Sequence, residues 1–252
     1  MSGLVLSLFP GIGLLDMAFE EEGFCIVRGP DLLWGGDIKR FHAPAGKFDG
    51  VIGGPPCQAF SRLRHLVEHQ GHAIAENLIP EFARCVREAE PRWWLMENVP
   101  DAPAPDCGPA VRQLIEDVWV GGETRRRRAF FFGGSHRFQF EIQTLALHRP
   151  DPEYPVLASG GGVPVPVAIG GSGKVKRSRR AIATRKGASA SGFKTQAYLQ
   201  VALKHTGLPD DFLADAPFTV AGKIKCVGNG VPLAMGRAVA RAVKKALERQ
   251  TP

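Results

Sequence analysis

The first thirty residues limit the fold sharply: a short apolar run, a glycine turn and an amphipathic stretch follow one another without a spacer. Residues 3–9, GLVLSLF, read as a buried strand, PGIG follows at 10–13, and residues 14–22 set Leu14, Leu15, Met17, Ala18 and Phe19 at helical spacing. The pattern then repeats. Residues 24–27 and 47–54 are strand-like, 76–90 alternate apolar and charged residues at helical period, and 92–99, RWWLMENV, form another strand candidate. Strands alternating with helices predict an α/β fold, a doubly wound and mostly parallel sheet with helices on its faces.

The middle of the chain breaks this rhythm. After AFFFGG at 129–134, Pro-, Gly- and Ser-rich text runs through ASGGGVPVPVAIGGSG into the basic KVKRSRR at 174–180, a composition suited to turns and irregular strands. Order returns with a helix candidate over 232–247, entered through GNGVP, and there is no internal repeat. The expected layout is one α/β domain from residues 1–134 and 222–252, with a small loop-rich domain from 135–221. A chain of 252 residues suffices for such a core, and 44% hydrophobic with 23% charged residues argues against disorder and membrane spans. Residues 1–9 lack a basic start and a small-residue cleavage pattern, so a cytoplasmic location is expected. The five cysteines, at 25, 57, 85, 107 and 226, form no Cys-x-x-Cys pair and have no histidine at zinc spacing, so neither structural zinc nor a disulfide framework is expected. The net charge of +7 favours polyanionic partners without specifying one.

Ligands of doubly wound folds sit at the carboxyl ends of the strands. FPGIG holds that place after the first strand, where an ordinary tight turn is the alternative reading. Asp31 and Asp37 follow the second strand, suited to ribose hydroxyls or an adenine amino group unless they are simply solvated loop acids. Cys57, framed by GGPPCQAF, ends the third strand, and Glu97 of ENVP ends the next. A thiolate and a carboxylic acid in one crevice can attack and protonate an electron-poor ring; a buried, inert cysteine is the plain alternative.

The ordered set FPGIG, GDI, GGPPCQAFS, ENVP, TRRRRAFFFG and VGNGVP resembles the DNA cytosine-5 methyltransferase family over nearly the whole chain outside the insert. The Pro-Cys-Gln and Glu-Asn-Val pair is its most specific part. The resemblance implies the S-adenosylmethionine-dependent methyltransferase fold and methyl transfer to carbon 5 of cytosine in duplex DNA. Cys57 adds to carbon 6 of a base flipped out of the helix, Glu97 holds and protonates nitrogen 3, and Arg128 with Arg126 supports the base and the Glu97 carboxylate. It implies cofactor contacts from Phe9, Gly11, Ile12 and Gly13, from Asp31 for the ribose, from Asp37 and Ile38 for adenine, and from Gly54, Pro56, Asn229 and Val231. Residues 135–194 become the target-recognition region, with KVKRSRR neutralising phosphates. A restriction-modification role and a monomer are expected, with no metal.

Departures from the family pattern bear on this reading. Leu14 stands where the family usually has glycine and Thr124 where it has glutamine. Asp31 comes one place late, and RGPDLLWGGDI is too short for the helix usually found there, so Trp34 is a candidate stacking surface. His65, His69 and His72 fall in a stretch read as a DNA-contacting loop, with metal binding as the alternative. A tRNA cytosine-5 methyltransferase and a catalytically silent DNA-binding homologue remain open as other functions.

Overall fold

The computed structural model describes residues 3–56, 76–145 and 196–249. Cys57, the three histidines after it, the KVKRSRR cluster and most of the expected target-recognition region lie outside the described residues. The chain forms two compact units.

The first unit comprises Met1–Ile115, Arg127–Gln143 and Gly236–Pro252. Its sheet runs in the order β2 (Cys25–Arg28), β1 (Leu4–Leu8), β3 (Gly50–Gly53), β4 (Trp93–Asn98), β6 (Arg127–Gly134) and β5 (Ala110–Glu116, whose last residue belongs to the second unit). The pairs β1/β2, β1/β3 and β3/β4 are parallel, while β6 runs antiparallel to β4.

Period-2 side-chain alternation divides the core into two layers. On one face Leu6, Leu8, Val51, Trp94, Met96 and Phe131 pack with Phe82 and Val86 of helix α2 (Ile79–Ala89). On the other, Trp93 stacks on Phe19 of α1 (Leu14–Glu21) with ring centroids 6.3 Å apart and meets Phe132 at 6.0 Å. Adjacent tryptophans thus serve opposite layers, and both are nearly fully buried. Each large aromatic adds about 2–3 kcal/mol of burial. The C-terminal helix α5 (Leu233–Glu248) lies beside α1, where Arg237 Nε pairs with Glu21 Oε2 at 2.5 Å.

The second unit comprises Glu116–Arg126 and Thr144–Met235. Its described helices are α3 (Gln196–Thr206) and α4 (Val220–Asn229), which pack together. Thr219 caps α4 by accepting from the Gly222 N–H at 3.2 Å. The sequence pattern did not reveal α4, because Gly222 and Gly228 each lower helix propensity by about 1 kcal/mol. It also missed β5, whose AVRQLIE alternates weakly and is half exposed.

Candidate active site

Leu8, Gly53 and Met96 stand side by side in the sheet register. Phe9 and Gly54 therefore leave β1 and β3 next to each other, with Glu97 one step further along β4. This is the topological switch of the sheet, since β1 lies between β2 and β3. Phe9 takes a left-handed φ of 55° and Gly13 one of 81°. Phe9 is a bulky residue in a region that favours glycine, a strain found at sites that hold ligands.

Glu97 is 8% exposed. Its Oε1 lies 2.6 Å from Arg128 Nε in an ion pair that is itself nearly buried. Phe130 pairs with Glu97 across the sheet, and Arg128, two residues earlier on β6, projects from the same face. Beyond this ion pair Oε1 has no hydrogen-bond donor among the described residues. A Cβ added to Gly54 would stand 3.0 Å from Glu97 Oε2, close enough to press on that oxygen. Next to it, buried Asn98 donates from Nδ2 to the Pro55 carbonyl at 3.1 Å, while its Oδ1 accepts from the Val99 N–H at 2.8 Å. Asn98 is the residue that sequence reasoning passed over, although it sits inside the quoted ENVP. It ties the end of β4 to the loop that leads into Cys57.

A cavity of about 270 Å³ opens beside these strand ends, lined by Phe9, Asp31, Asp37, Ile38 and Pro56 among the anticipated cofactor contacts. Leu32, Lys39, Glu76 and Leu78 add walls that the sequence did not single out. Asp31 braces the cavity: Oδ2 accepts from the Gly11 N–H at 2.8 Å and Oδ1 from the Leu33 N–H at 2.7 Å, while the Trp34 indole donates to the Gly11 carbonyl at 2.7 Å. The loop after β2 thus folds back onto the glycine turn. Asp37 accepts from the Lys39 N–H at 3.0 Å. Gly11, Ile12, Gly13 and Gly54 belong to the same strand ends without lining this cavity.

Leu14 and Asp16 face inward from α1. Asp16 is fully buried, accepts from Ser7 Oγ and pairs with Arg28 Nε at 2.9 Å; burial raises its pKa despite these contacts.

Within the second unit, Arg126 donates to the carbonyls of Gly228 at 2.7 Å and Asn229 at 3.2 Å, closing the C-terminus of α4. Asn229 and Val231 belong to this unit. Thr124 is buried and spends its hydroxyl on Asp117 Oδ2 at 2.7 Å, and its backbone N–H donates to the same oxygen at 3.0 Å. The threonine that departs from the family pattern therefore has a local partner of its own.

Residues 35–118 match the family described as C-5 cytosine-specific DNA methylase. The type II methyltransferase M.HgiGI of Herpetosiphon aurantiacus is 32% identical over 115 residues, a match covering 37% of this chain and 88% of that protein. The chain belongs to the C-5 cytosine-specific DNA methylase family. The chain is also 31% identical to M.FnuDI of Fusobacterium nucleatum over 47% of its own length and 30% identical to M.NgoPII of Neisseria gonorrhoeae over 51%. It spans only 38% and 47% of those two relatives. The methylase fold extends over the whole chain in S. pombe Dnmt2 methyltransferase, with a TM-score of 0.61 at 12% identity and full coverage of both chains. Entamoeba histolytica methyltransferase EhMeth gives 0.58 at 14% identity, covering 98% of this chain and 99% of that one.

Proposed function

We propose that the protein transfers a methyl group to carbon 5 of cytosine in duplex DNA, with S-adenosylmethionine as donor. The observation that carries this reading is the Glu97 arrangement: a buried carboxylate at the end of β4, paired with Arg128, beside Gly54 and linked through Asn98 to the loop before Cys57.

The cavity suits the cofactor chemically. Phe9 and Ile38 offer apolar surface for an adenine ring, Asp37 offers an acceptor for its amino group, Asp31 retains lone pairs for ribose hydroxyls, and Pro56 closes one side. When bound, S-adenosylmethionine supplies an electrophilic methyl group. The chain's own residues prepare the base. Cys57 adds as thiolate to carbon 6 of an extruded cytosine. Glu97 in its acid form grips nitrogen 3 and delivers its proton as electron density arrives there, and Arg128 holds the carboxylate that this leaves. Loss of the carbon-5 proton to solvent, expulsion of Cys57 as thiolate and return of the nitrogen-3 proton to Glu97 then restore aromaticity. Gly11, Ile12, Gly13 and Gly54 shape the approach to the cofactor.

Residues 135–221 are assigned to target recognition, with exposed Arg127 and the cluster at 174–180 meeting phosphates. Restriction-modification is the favoured setting, given the type II relatives. Labelled methyl transfer to duplex DNA by wild type and by Cys57→Ser tests the proposal. It expects incorporation by the former and none by the latter, together with covalent trapping of wild type on a 5-fluorocytosine duplex. Incorporation into tRNA but not DNA, or cofactor binding without trapping, overturns it.

A further inference from the structure

Between β2 and β3 the chain runs from residue 29 to 49 with no α-helix or strand, only two three-residue 3₁₀ turns, Leu32–Trp34 and Ile38–Arg40. Short 3₁₀ turns have poor hydrogen-bond geometry and little stability of their own. Yet this segment supplies Asp31, Leu32, Asp37, Ile38 and Lys39 to the cavity wall. Something outside the segment has to fix it.

Arg84 occupies that place. It rises from the middle of α2 and is 25% exposed along its side chain. Nη2 donates to the Ile38 carbonyl at 2.7 Å and Nη1 to the Phe41 carbonyl at 3.0 Å, so one guanidinium spans both ends of the second turn. Two glutamates on its own helix aim it: Glu81 Oε2 accepts from Nε at 2.9 Å and Glu88 Oε1 from Nη1 at 2.7 Å. Glu88 continues the clamp, its Oε2 accepting from the Ala43 N–H at 3.1 Å and its Oε1 lying 3.1 Å from His42 Nδ1. Burial works against ionisation of Glu88, but the bonds from Arg84, His42 and Ala43 outweigh it and hold the carboxyl below its usual range. Planar, forked and permanently charged, a guanidinium can bridge two carbonyls and two carboxylates at once, which a lysine ammonium cannot do in the same geometry.

We propose that Arg84 is a positioning residue for the cofactor cavity, holding Asp37 and Ile38 in place through the Ile38 and Phe41 carbonyls without touching the cofactor. The inference rests on the reading of the cavity as the S-adenosylmethionine site.

The experiment compares wild type, Arg84→Ala, Arg84→Lys and Glu88→Gln by hydrogen exchange and by titration with S-adenosylmethionine. In Arg84→Ala, amides of residues 37–43 exchange at least tenfold faster while those of β3 and β4 keep their protection. The Kd and KM for S-adenosylmethionine rise at least tenfold, turnover at saturating cofactor falls less than threefold, and the KM for DNA stays within twofold. Arg84→Lys and Glu88→Gln fall between, and either serves if Arg84→Ala does not fold. Unchanged exchange at 37–43, or a loss of turnover that saturating cofactor does not restore, overturns the proposal. A wild type that binds no S-adenosylmethionine overturns the functional reading instead, while the exchange pattern still decides whether Arg84 holds the segment.

Discussion

Asn98 donates from its side-chain amide to the Pro55 carbonyl at 3.1 Å, and both groups are shielded from water. Glu97 and the loop entering Cys57 are thus spaced by one hydrogen bond between neighbouring strand ends, rather than by the sheet alone. Asn98→Ala leaves the Pro55 carbonyl without its partner, at a cost of about 1–3 kcal/mol. A misplacement of the loop by a fraction of an ångström weakens alignment of the two reacting groups. The expected outcome is a drop in single-turnover methylation of at least tenfold with cofactor Kd changed less than twofold. Equal rates in variant and wild type would show that Asn98 serves stability alone.

Gly54→Ala tests the other contact across the same gap. Its Cβ would approach Glu97 Oε2 to 3.0 Å, and the neighbour has to shift by a few tenths of an ångström. The carboxylate is also held by Arg128 and has little freedom to yield. Turnover is expected to fall by more than tenfold while the melting temperature changes by only a few degrees.

Glu97→Gln separates holding from protonating. The amide keeps the shape of the carboxyl but is a poor acid, so the loss should fall on turnover, by about 10²–10⁴, with cofactor affinity close to wild type. An equal loss of cofactor affinity would contradict the assignment. Arg128→Leu has a different signature, because it leaves a buried carboxylate without its counter-charge and destabilises the fold by roughly 3–5 kcal/mol. Chemical denaturation of both variants distinguishes them.

What the sequence made legible follows from where the chemistry is local. The strands entering Phe9, Gly54 and Glu97 could be read because they are nearly continuous apolar runs, and their shared edge follows from parallel topology. Asn98 was hidden because its bond crosses 43 positions of sequence to a backbone carbonyl, which no motif displays. The place of Asp31 after β2 suits a ribose or adenine contact or a solvated loop acid, and the family resemblance selects the ribose. The bracing of Gly11 by Asp31 depends on a loop that doubles back, which composition does not encode. The bridging role of Arg84 likewise needs the Ile38 and Phe41 carbonyls to be in view; along the chain it is one more charge on an amphipathic helix.

The thiols divide by environment. Burial pushes Cys85 to about 11 and Cys107 to about 12, whereas Cys25 is exposed on β2. Thiolate is the reactive form, so brief iodoacetamide treatment at pH 8 should label Cys25 and spare Cys85 and Cys107 until denaturant is added, as read by peptide mass spectrometry. The same shifts carry a stability consequence. Both thiols are protonated in the fold above the pH at which they ionise in the unfolded chain, so stability falls as pH rises beyond about 9. Cys85→Ala should flatten part of that decline.

Asp117 gives the last test, with a sign that distinguishes it from an ordinary carboxylate. It is fully buried, and desolvation raises its pKa although the Thr124 hydroxyl, the Thr124 N–H and the Arg126 charge all pull the other way. The fold therefore favours its protonated form. That contribution is fully present below the unfolded value of 3.8 and is lost as pH rises through the higher folded value. Glu21 and Glu88, whose pKa values are lowered, act in the opposite direction over the same range, so wild-type stability alone does not isolate the effect. Asparagine does not titrate. The unfolding free energy of wild type minus that of Asp117→Asn should therefore fall as pH climbs above 3.8 and level off once Asp117 ionises in the fold, measured by urea denaturation at each pH. A difference that stays flat, or one that grows with pH, would mean that the Thr124 and Arg126 contacts hold Asp117 ionised and that its burial is fully compensated.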